Sequence, residues 1–346
     1  MGRYTAAQVW EEKLRRDWPK RSYFESRFMA ENPSNDGQNQ SLLSDSIIMN
    51  TDKLKGMGKG ITATYGLRPR LQKGFVVSGT LLSGQEYRIS DVTDSITVEE
   101  LKLGVIEDSM LDKQAAFYDV VKELYPTLVE TTAEAMDLKY FTALETSPTT
   151  TIYRTSGVVT PTATEATALA AITAADKFDP EMLLEIKPML TTGFNRAQPP
   201  IQPIEYKGKY YWAVLVHPDA LSDFEKDSTY ASAIREAQVR GAENPLFNGA
   251  TAIWNQFIIH SHENVSIGTS GAVPYSKGYI LGRHALTRAF AQELTIKKKT
   301  VEYDVEQTAM GVFGMGAVKK AVFNSKDYGC VNILVARTQL SDKTYA

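Results

Sequence analysis

The sequence predicts an α+β fold for this chain of 346 residues. Three observations carry the prediction. Apolar residues recur at three- and four-residue spacing over 112–145, which is typical of a long helix. Polar and apolar residues alternate over 61–71 and 86–106, which is typical of strands, and 294–337 is also predicted to form strands. The short apolar run 212–216 predicts a buried strand that leads into a helix.

Composition narrows the class of protein. Hydrophobic residues make up 43% and charged residues 23%, which is enough apolar material for a core. The formal net charge of −3 argues against a protein that binds polyanions over its whole surface. A single cysteine, Cys330, excludes an internal disulfide and a cysteine-built metal site, and it is expected to be buried. With neither a signal peptide nor an apolar run of about 20 residues, we expect a reducing cytoplasm and no membrane.

The first 31 residues predict a short amphipathic helix that is rich in aromatic residues. Trp10, Leu14 and Trp18 lie at four-residue spacing on one face, and Pro19 is expected to break the helix. So many large aromatics in a short segment are too many for solvent. We expect them to pack on the body of the protein or on a neighbouring copy. They are Trp10, Trp18, Tyr23, Phe24 and Phe28.

The same segment carries basic residues on its other faces. Acidic residues are interspersed among them and dilute the charge, so a solvated face is favoured over a surface for nucleic acid. The basic residues are Lys13, Arg15, Arg16, Lys20, Arg21 and Arg27, and the acidic ones are Glu11, Glu12, Asp17 and Glu25.

A long β-hairpin is predicted from the strands 61–71 and 86–106, which flank a Gly-rich tip. An isolated two-stranded ribbon buries too little surface to be stable, so we expect it to lie across a neighbouring subunit. Carboxylates on the second arm and lysines near the first permit two interpretations. They could be solvated edges that prevent mispairing, or complementary charges between copies. The groups are Asp91, Asp94, Glu99 and Glu100, with Lys53, Lys55, Lys59 and Lys73.

The long helix over 112–145 is expected to pack on a sheet, because its apolar stripe lacks the regular flanking charges of a coiled coil. Pro126 is expected to kink it or to remove one hydrogen bond. The stripe consists of Phe117, Val121, Leu124, Leu128, Ala135 and Leu138.

The segment 146–290 predicts a mixed region. A Thr-rich stretch, 146–165, is expected to be irregular or β-like, and Asp179 is expected to cap a short helix. After the strand 212–216, Asp219 or Ser222 is expected to cap the next helix.

The sequence predicts no catalytic, cofactor-binding or metal-binding residues. His260 and His262 share one side of a strand end, but no further ligand occurs at a suitable spacing. His217 has no marked nucleophile beside it. The glycine clusters at 56–60 and 311–316 complete neither a Walker A loop nor a dinucleotide motif, and are expected to form joints and tight turns.

Three segments in this order resemble the major capsid proteins of tailed bacteriophages. The resemblance is nearest to the coat-protein family typified by podoviruses that package a giant virion RNA polymerase. The segments are KGMGKGITATYGLRPRL with LLSGQEYRISDVTDSITVEEL, then YYWAVLVHPDALSDF with REAQVRGAENPLFNGATAIWNQFIIHSHENV, and then GVFGMGAVKKAVF with YGCVNILVAR.

The resemblance implies a Hong Kong ninety-seven-type fold. On that mapping, residues 1–55 form an N-terminal arm and 56–105 an extended β-hairpin loop. Residues 106–145 and 291–340 form a peripheral domain with a spine helix, and 146–290 form an axial domain.

The implied function is a major capsid protein that self-assembles as hexamers and pentamers into an icosahedral shell around double-stranded DNA. We expect assembly in the host cytoplasm and a place in the virion. Expected partners are further copies, a separate scaffolding protein, a portal protein, DNA bound non-specifically on the inner face and, as an open option, a decoration protein. No cofactor is implied. The residues expected to contact neighbouring copies are Trp10, Trp18, Phe24, Phe28, Lys73, Phe75, Asp91, Asp94, Glu99 and Glu100.

Two alternatives stay open from the sequence. One is another virion structural protein, such as a decoration protein. The other is an α/β enzyme that uses His217 or His260 with Asp219, although no motif supports it.

Overall fold

The computed structural model describes residues 6–28, 46–51, 61–67, 92–106, 120–193, 200–206, 209–239, 252–301, 307–323 and 325–338. The helices within these ranges are α1 (Ala6–Arg21), α2 (Tyr23–Phe28), α3 (Val120–Glu145), α4 (Glu165–Ala171), α5 (Pro180–Thr192), α6 (Pro218–Lys226) and α7 (Ser228–Val239). We call α3 the spine helix.

The strands fall into two halves of the chain. In the first half they are β1 (Ile48–Thr51), β2 (Thr62–Leu67), β3 (Val92–Thr97), β4 (Glu99–Ile106), β5 (Thr151–Thr155) and β6 (Val158–Thr162). In the second half they are β7 (Ile204–Tyr206), β8 (Lys209–Val216), β9 (Ala252–Trp254), β10 (Phe257–Ser261), β11 (Ile267–Ser270), β12 (Val273–Leu281), β13 (Leu286–Val301), β14 (Gln307–Lys320), β15 (Val322–Phe323), β16 (Lys326–Asp327) and β17 (Cys330–Ala336).

Two mixed sheets organise the molecule, which confirms the α+β prediction. One has four strands in the order β1-β13-β14-β4. The other has nine strands and follows the path β6-β5-β17-β12-β8-β10-β9, with β11 added to β12 and β7 to β8. The hairpin strands β2 and β3 pair only with each other within the described residues.

The nine-stranded sheet is covered on both faces, which explains the continuous apolar runs of its central strands. Along β8, Trp212, Val214 and Val216 face a core formed with α5 and α6. Ala213 and Leu215 face the opposite core, to which the spine helix and α2 contribute. β8 and β10 run parallel and are joined through α6 and α7, so the predicted strand at 212–216 is confirmed.

The predicted boundary at residue 291 does not coincide with the two sheets. β13 begins at Leu286 in the four-stranded sheet. β17 was expected in the peripheral domain, but it pairs with β12 and β5 in the nine-stranded sheet. Every residue of β17 is buried, and a strand without a polar face needs neighbours on both edges and both faces.

The four-stranded sheet carries α1 and the spine helix on one face. Leu14 and Trp18 of α1 and Leu128 and Met136 of the spine helix share a core with the sheet. The predicted helix break at Pro19 is wrong, because α1 runs through Pro19 to Arg21 and Trp18 holds its last turn in the core. The spine helix continues through Pro126, which has no N–H and so removes one helical hydrogen bond, one of the two predicted effects.

The second glycine cluster lies inside a strand, where tight turns had been expected. A Cβ added to Gly314 would lie 2.7 Å from Leu294 Cδ2, and one added to Gly316 would lie 2.5 Å from Phe290 Cδ1. These glycines of β14 therefore make room for large side chains of the paired strand β13.

The buried stripe of the spine helix also differs from the prediction. Leu138 is 52% exposed, whereas Val129, Ala133, Tyr140 and Leu144 are buried. The sheet and α2 contact the helix from two directions, so its buried surface is wider than one stripe. Of the remaining predicted members, Leu128 is buried and Ala135 is half-buried. Phe117 and the side chains of Val121 and Leu124 lie outside the described residues.

The region 146–226 contains a β-hairpin and two capped helices that the sequence predicted in part. The Thr-rich stretch forms the hairpin β5–β6, and Asp179 caps α5 by accepting a hydrogen bond from Met182 N, as predicted. The cap of α6 is neither predicted residue but His217, whose Nδ1 accepts from Asp219 N at 3.2 Å. In the described part of the chain, no helix is long and apolar enough to cross a membrane.

Candidate assembly surfaces

The N-terminal arm is anchored to the spine helix by one carboxylate. Asp137 accepts hydrogen bonds from Ser22 Oγ at 2.7 Å, Tyr23 N at 2.8 Å and Phe24 N at 3.1 Å. The last two are backbone donors in the first turn of α2, which have no partner within their own helix. Asp137 is itself buried, so the spine helix supplies the cap that fixes where α2 begins.

A buried ion pair links α2 to the four-stranded sheet. Arg288 of β13 donates to Glu25, and the Tyr140 hydroxyl donates to the other oxygen of the same carboxylate. Glu25 has no exposed side-chain surface. Burial and the neighbouring Glu25 charge raise the pKa of Tyr140 well above its ordinary value, so it stays a hydrogen-bond donor. Breaking a buried pair leaves an uncompensated charge, so this contact stabilises the docked position of the arm.

Aromatic rings complete the docking of α2. Phe24 stacks on Tyr140 with 4.9 Å between ring centroids. Phe28 meets the imidazole of His260 edge-on at 5.2 Å, and Tyr23 meets that of His262 at 4.6 Å. Burial, with a smaller contribution from the Arg27 charge, lowers the pKa of His260 to about 4. The two histidines therefore act as neutral packing surfaces for the arm.

The predicted intersubunit role of the arm aromatics needs correction. Trp18, Phe24 and Phe28 are at most 5% exposed, and they pack against elements of their own chain. They leave no side-chain surface for a neighbour, because their own chain occupies it. The backbone of Trp10 lies in α1, but its side chain lies outside the described residues.

The root of the hairpin is held by a second carboxylate, Asp94. Its oxygens accept from Tyr65 at 2.6 Å, from Lys319 Nζ at 2.5 Å and from Val322 N at 3.1 Å. Burial opposes ionisation of Asp94, but these donors outweigh it and lower its pKa. Asp94 was expected to contact a neighbour. Its oxygens instead join the hairpin to β14 and β15 of the same chain.

The two faces of the hairpin root differ sharply. Ala63, Tyr65 and Ile96 point into a core shared with Met49 and Phe323. The hairpin was expected to lie across a neighbouring subunit, but its root packs on its own chain. The opposite face is exposed and consists of hydroxyl side chains. They are Thr62, Thr64, Thr93, Ser95 and Thr97.

The predicted contacts Glu99 and Glu100 lie at the surface on β4. Glu99 pairs with Lys139 of the spine helix, and Glu100 pairs with Lys102. The hydrogen bond from Lys102 lowers the pKa of Glu100. Such exposed pairs contribute little to stability, so both carboxylates are accessible to a neighbour. The remaining predicted contacts, Lys73, Phe75 and Asp91, lie outside the described residues.

Exposed apolar side chains mark surface that the sequence did not single out. Leu138 adjoins Lys139, the partner of Glu99, and the Ile61 carbonyl accepts from Val98 N at 2.7 Å beside Glu99. Ile61 therefore lies at the hairpin root, and Leu138 is next in sequence to a residue that pairs with β4. The exposed large hydrophobic residues of the described part are Ile61, Leu138, Val158, Leu184, Tyr210 and Ile267.

Val158 and Leu184 mark a second exposed surface, at the rim of the nine-stranded sheet. Val159 N donates to Glu185 at 3.2 Å, which brings the edge strand β6 against α5. The sequence feature that could have indicated this exposed surface is the Ser-Gly pair at 156–157, which forms the turn before β6.

The residues named for the alternative of an enzyme have structural roles. His217 is buried and caps α6, and Asp219 accepts a hydrogen bond from Arg337. No cluster of metal ligands occurs among the residues that the structure describes.

Comparison with known proteins identifies the family. A family described as phage capsid protein matches residues 142–336, more than half of the chain, and the chain belongs to this family. It is therefore a structural protein of the capsid shell, a virion component and not an enzyme. No curated protein matches the sequence.

Solved structures agree in fold. The capsid of Ralstonia phage GP4 is similar with a TM-score of 0.73 and 17% identity, covering 94% of this chain and 93% of that one. The cyanophage Pam1 capsid gives 0.72 and 19%, covering 90% and 95%. The capsid of Helicobacter pylori bacteriophage KHP30 gives 0.67 and 11%, covering 89% and 94%. The fold is of the Hong Kong ninety-seven type, as the resemblance implied.

Proposed function

We propose that the chain is the major coat protein of a tailed phage and assembles as hexamers and pentamers into an icosahedral shell around double-stranded DNA. The family and the fold support the role of a phage capsid protein. The three quoted segments support a place among coat proteins of podoviruses that package a giant virion RNA polymerase. Assembly in the host cytoplasm belongs to the same proposal.

The observation that carries the proposal is the one-sided hairpin root. Its apolar face lies on its own chain and its hydroxyl face is exposed, and β2 and β3 find no third strand within the described residues. The connection between them, 68–91, has many more residues than a tight hairpin turn needs. The exposed face leaves surface for a further contact, and a second copy is the surface that a repeating shell provides.

The proposed parts of the subunit follow the two sheets. The four-stranded sheet, with the spine helix, is the peripheral part. The nine-stranded sheet, including β17, is the axial part, whose rim residues Val158 and Leu184 would meet neighbours around a capsomer axis. Near the hairpin, Leu138, Glu99 and Glu100 would meet an adjacent copy. A separate scaffolding protein, a portal protein and, optionally, a decoration protein are the proposed further partners.

Electron microscopy of the expressed chain, alone and together with its scaffolding protein, tests the proposal. We expect shells, tubes or capsomers, and a chain that dominates the protein mass of the virion. A strictly monomeric product under every condition would refute self-assembly, and a minor share of virion mass would favour a decoration or tail protein.

A further inference from the structure

Positive charge is concentrated on the outer face of α1. Lys13, Arg16 and Lys20 are exposed, and helical spacing places them opposite the buried Leu14 and Trp18. We call these three residues the α1 basic face. Further exposed cations flank it. They are Arg15, Arg21 and Arg27.

The acidic residues of the arm neutralise this face less than the sequence suggested. Glu25 is buried beneath α2 and paired with Arg288, so its charge does not reach the outer face. Asp17 accepts from Arg16 Nε at 3.1 Å. Among the described side chains of α1, Asp17 is the one acidic group, so the three cations of the basic face leave a positive sum.

Two members of the basic face, Lys13 and Lys20, form no ion pair with a side chain that the structure describes. The flanking arginines are partly engaged. Arg15 pairs with Glu293 at 3.5 Å, and Arg21 lies 4.0 Å from Glu130. Exposed pairs of this kind are weak and leave the local potential positive.

Among the side chains that the structure describes, the α1 basic face has no exposed large apolar residue. All exposed large hydrophobic residues of the described part lie on other elements. Protein–protein interfaces are built around an apolar centre from which charged residues are depleted. Interfaces with nucleic acid are more polar and strongly positive, and most of their affinity comes from phosphate contacts. The composition of this face therefore fits phosphate groups better than a protein partner.

We propose that the α1 basic face binds the phosphate backbone of nucleic acid without base specificity, and that it is the part of the subunit that faces packaged DNA. Lys13 and Lys20 are seven residues apart, which is about 10 Å along a helix. They and Arg16 can thus reach successive phosphates of one duplex. The location inside a shell rests on the proposed function, whereas the binding itself does not.

The test is a titration of a labelled 30-base-pair duplex of arbitrary sequence with the full-length subunit at several salt concentrations. Lys13→Glu with Lys20→Glu should weaken binding at least tenfold at low salt. It should also flatten the plot of log binding constant against log salt concentration. The slope should fall by about 0.9 for each of the two lost phosphate contacts. The neutral pair Lys13→Gln with Lys20→Gln should fall between that variant and the wild type.

A matched control separates this face from net charge. Lys209→Glu with Lys226→Glu makes the same charge change at exposed sites elsewhere, and should leave binding within about twofold. Equal losses in both double variants would overturn the proposal. So would unchanged DNA binding combined with failure to assemble with the scaffolding protein, which would assign the face to an acidic protein. Wild-type subunits that bind DNA through this face but never form shells would refute the proposed function alone.

Discussion

The N-terminal arm and the hairpin root were both expected to contact neighbouring copies, and the structure separates them. The aromatic side of the arm packs against its own chain, with Glu25, Phe24 and Phe28 all buried. The hairpin root buries one face and exposes a row of hydroxyl groups on the other. The aromatic residues of the arm thus mark an internal anchor, whereas the exposed face of the hairpin root is the surface that we propose for a neighbour.

The largest expected effect tests how firmly the arm is enclosed. Arg288→Met removes the partner of Glu25 and leaves a carboxylate buried without compensation, which costs about 3–5 kcal/mol of unfolding free energy. Urea denaturation measures the loss. Arg15→Met, at an exposed pair, is the control and should lose less than about 1 kcal/mol. Similar losses in the two variants would mean that the arm is not locked by this pair.

A pH series tests the imidazole packing beneath the arm. The pKa of His260 is lowered from 6.5 to about 4, so the unfolded chain binds the proton first as the pH falls. Stability should decline from about pH 6.5 and level off below about pH 4, by on the order of 3 kcal/mol. The groups facing His260 are Phe28, Tyr23 and Arg27.

His260→Phe keeps the packing volume and removes the titrating group. The decline between pH 6.5 and 4 should be smaller in this variant by the amount that His260 contributes. Carboxylates and His262 also titrate as the pH falls. The quantity to compare is therefore the difference between the stability curves of the wild type and the variant. If the two stability curves run parallel, the pKa of His260 is not lowered by folding.

A smaller effect is expected at the hairpin root. Asp94→Ala removes the acceptor shared by Tyr65, Lys319 and Val322, and hydrogen bonds to a charged group contribute about 1.5–3 kcal/mol. Limited proteolysis should cut the hairpin faster while the two main sheets stay protected. If the whole chain becomes equally sensitive, the root is not an independently opening unit.

The smallest effect on stability is expected at the exposed surface of the spine helix. Leu138→Asp should change unfolding free energy by no more than about 0.5 kcal/mol, because the side chain is largely in solvent. It should nevertheless reduce the yield of shells in electron micrographs. Ala135→Asp, at a half-buried neighbouring position, would lower both quantities and serves as the contrast.

Periodic and local features of the fold could be predicted from the sequence. The strand at 212–216, the cap at Asp179 and the long helix each depend on neighbours within a few residues. The features that were missed depend on distant partners. Glu25 and Arg288 are 263 residues apart, and the Asp137 cap of α2 comes from another helix.

The same limit applies to the candidate surfaces. Leu138 fits the apolar spacing of the spine helix, but its side chain is exposed. The sheet and α2 pack on other sides of the helix, which its own sequence does not show. Asp94 was indistinguishable from Glu99 by residue type, yet one carboxylate joins elements of its own chain and the other lies at the surface. The need for glycine at 314, within a strand, follows only from the position of Leu294 on the paired strand.

Deleting the hairpin tip, about residues 72–84, tests the account most directly. The root contacts of Tyr65 and Asp94 lie outside the deletion, so the subunit should stay folded and soluble with a near-normal unfolding transition. Electron microscopy should then show capsomers or free subunits but no stable shells. Normal shells from the deleted chain would contradict the claim that the hairpin joins neighbouring copies.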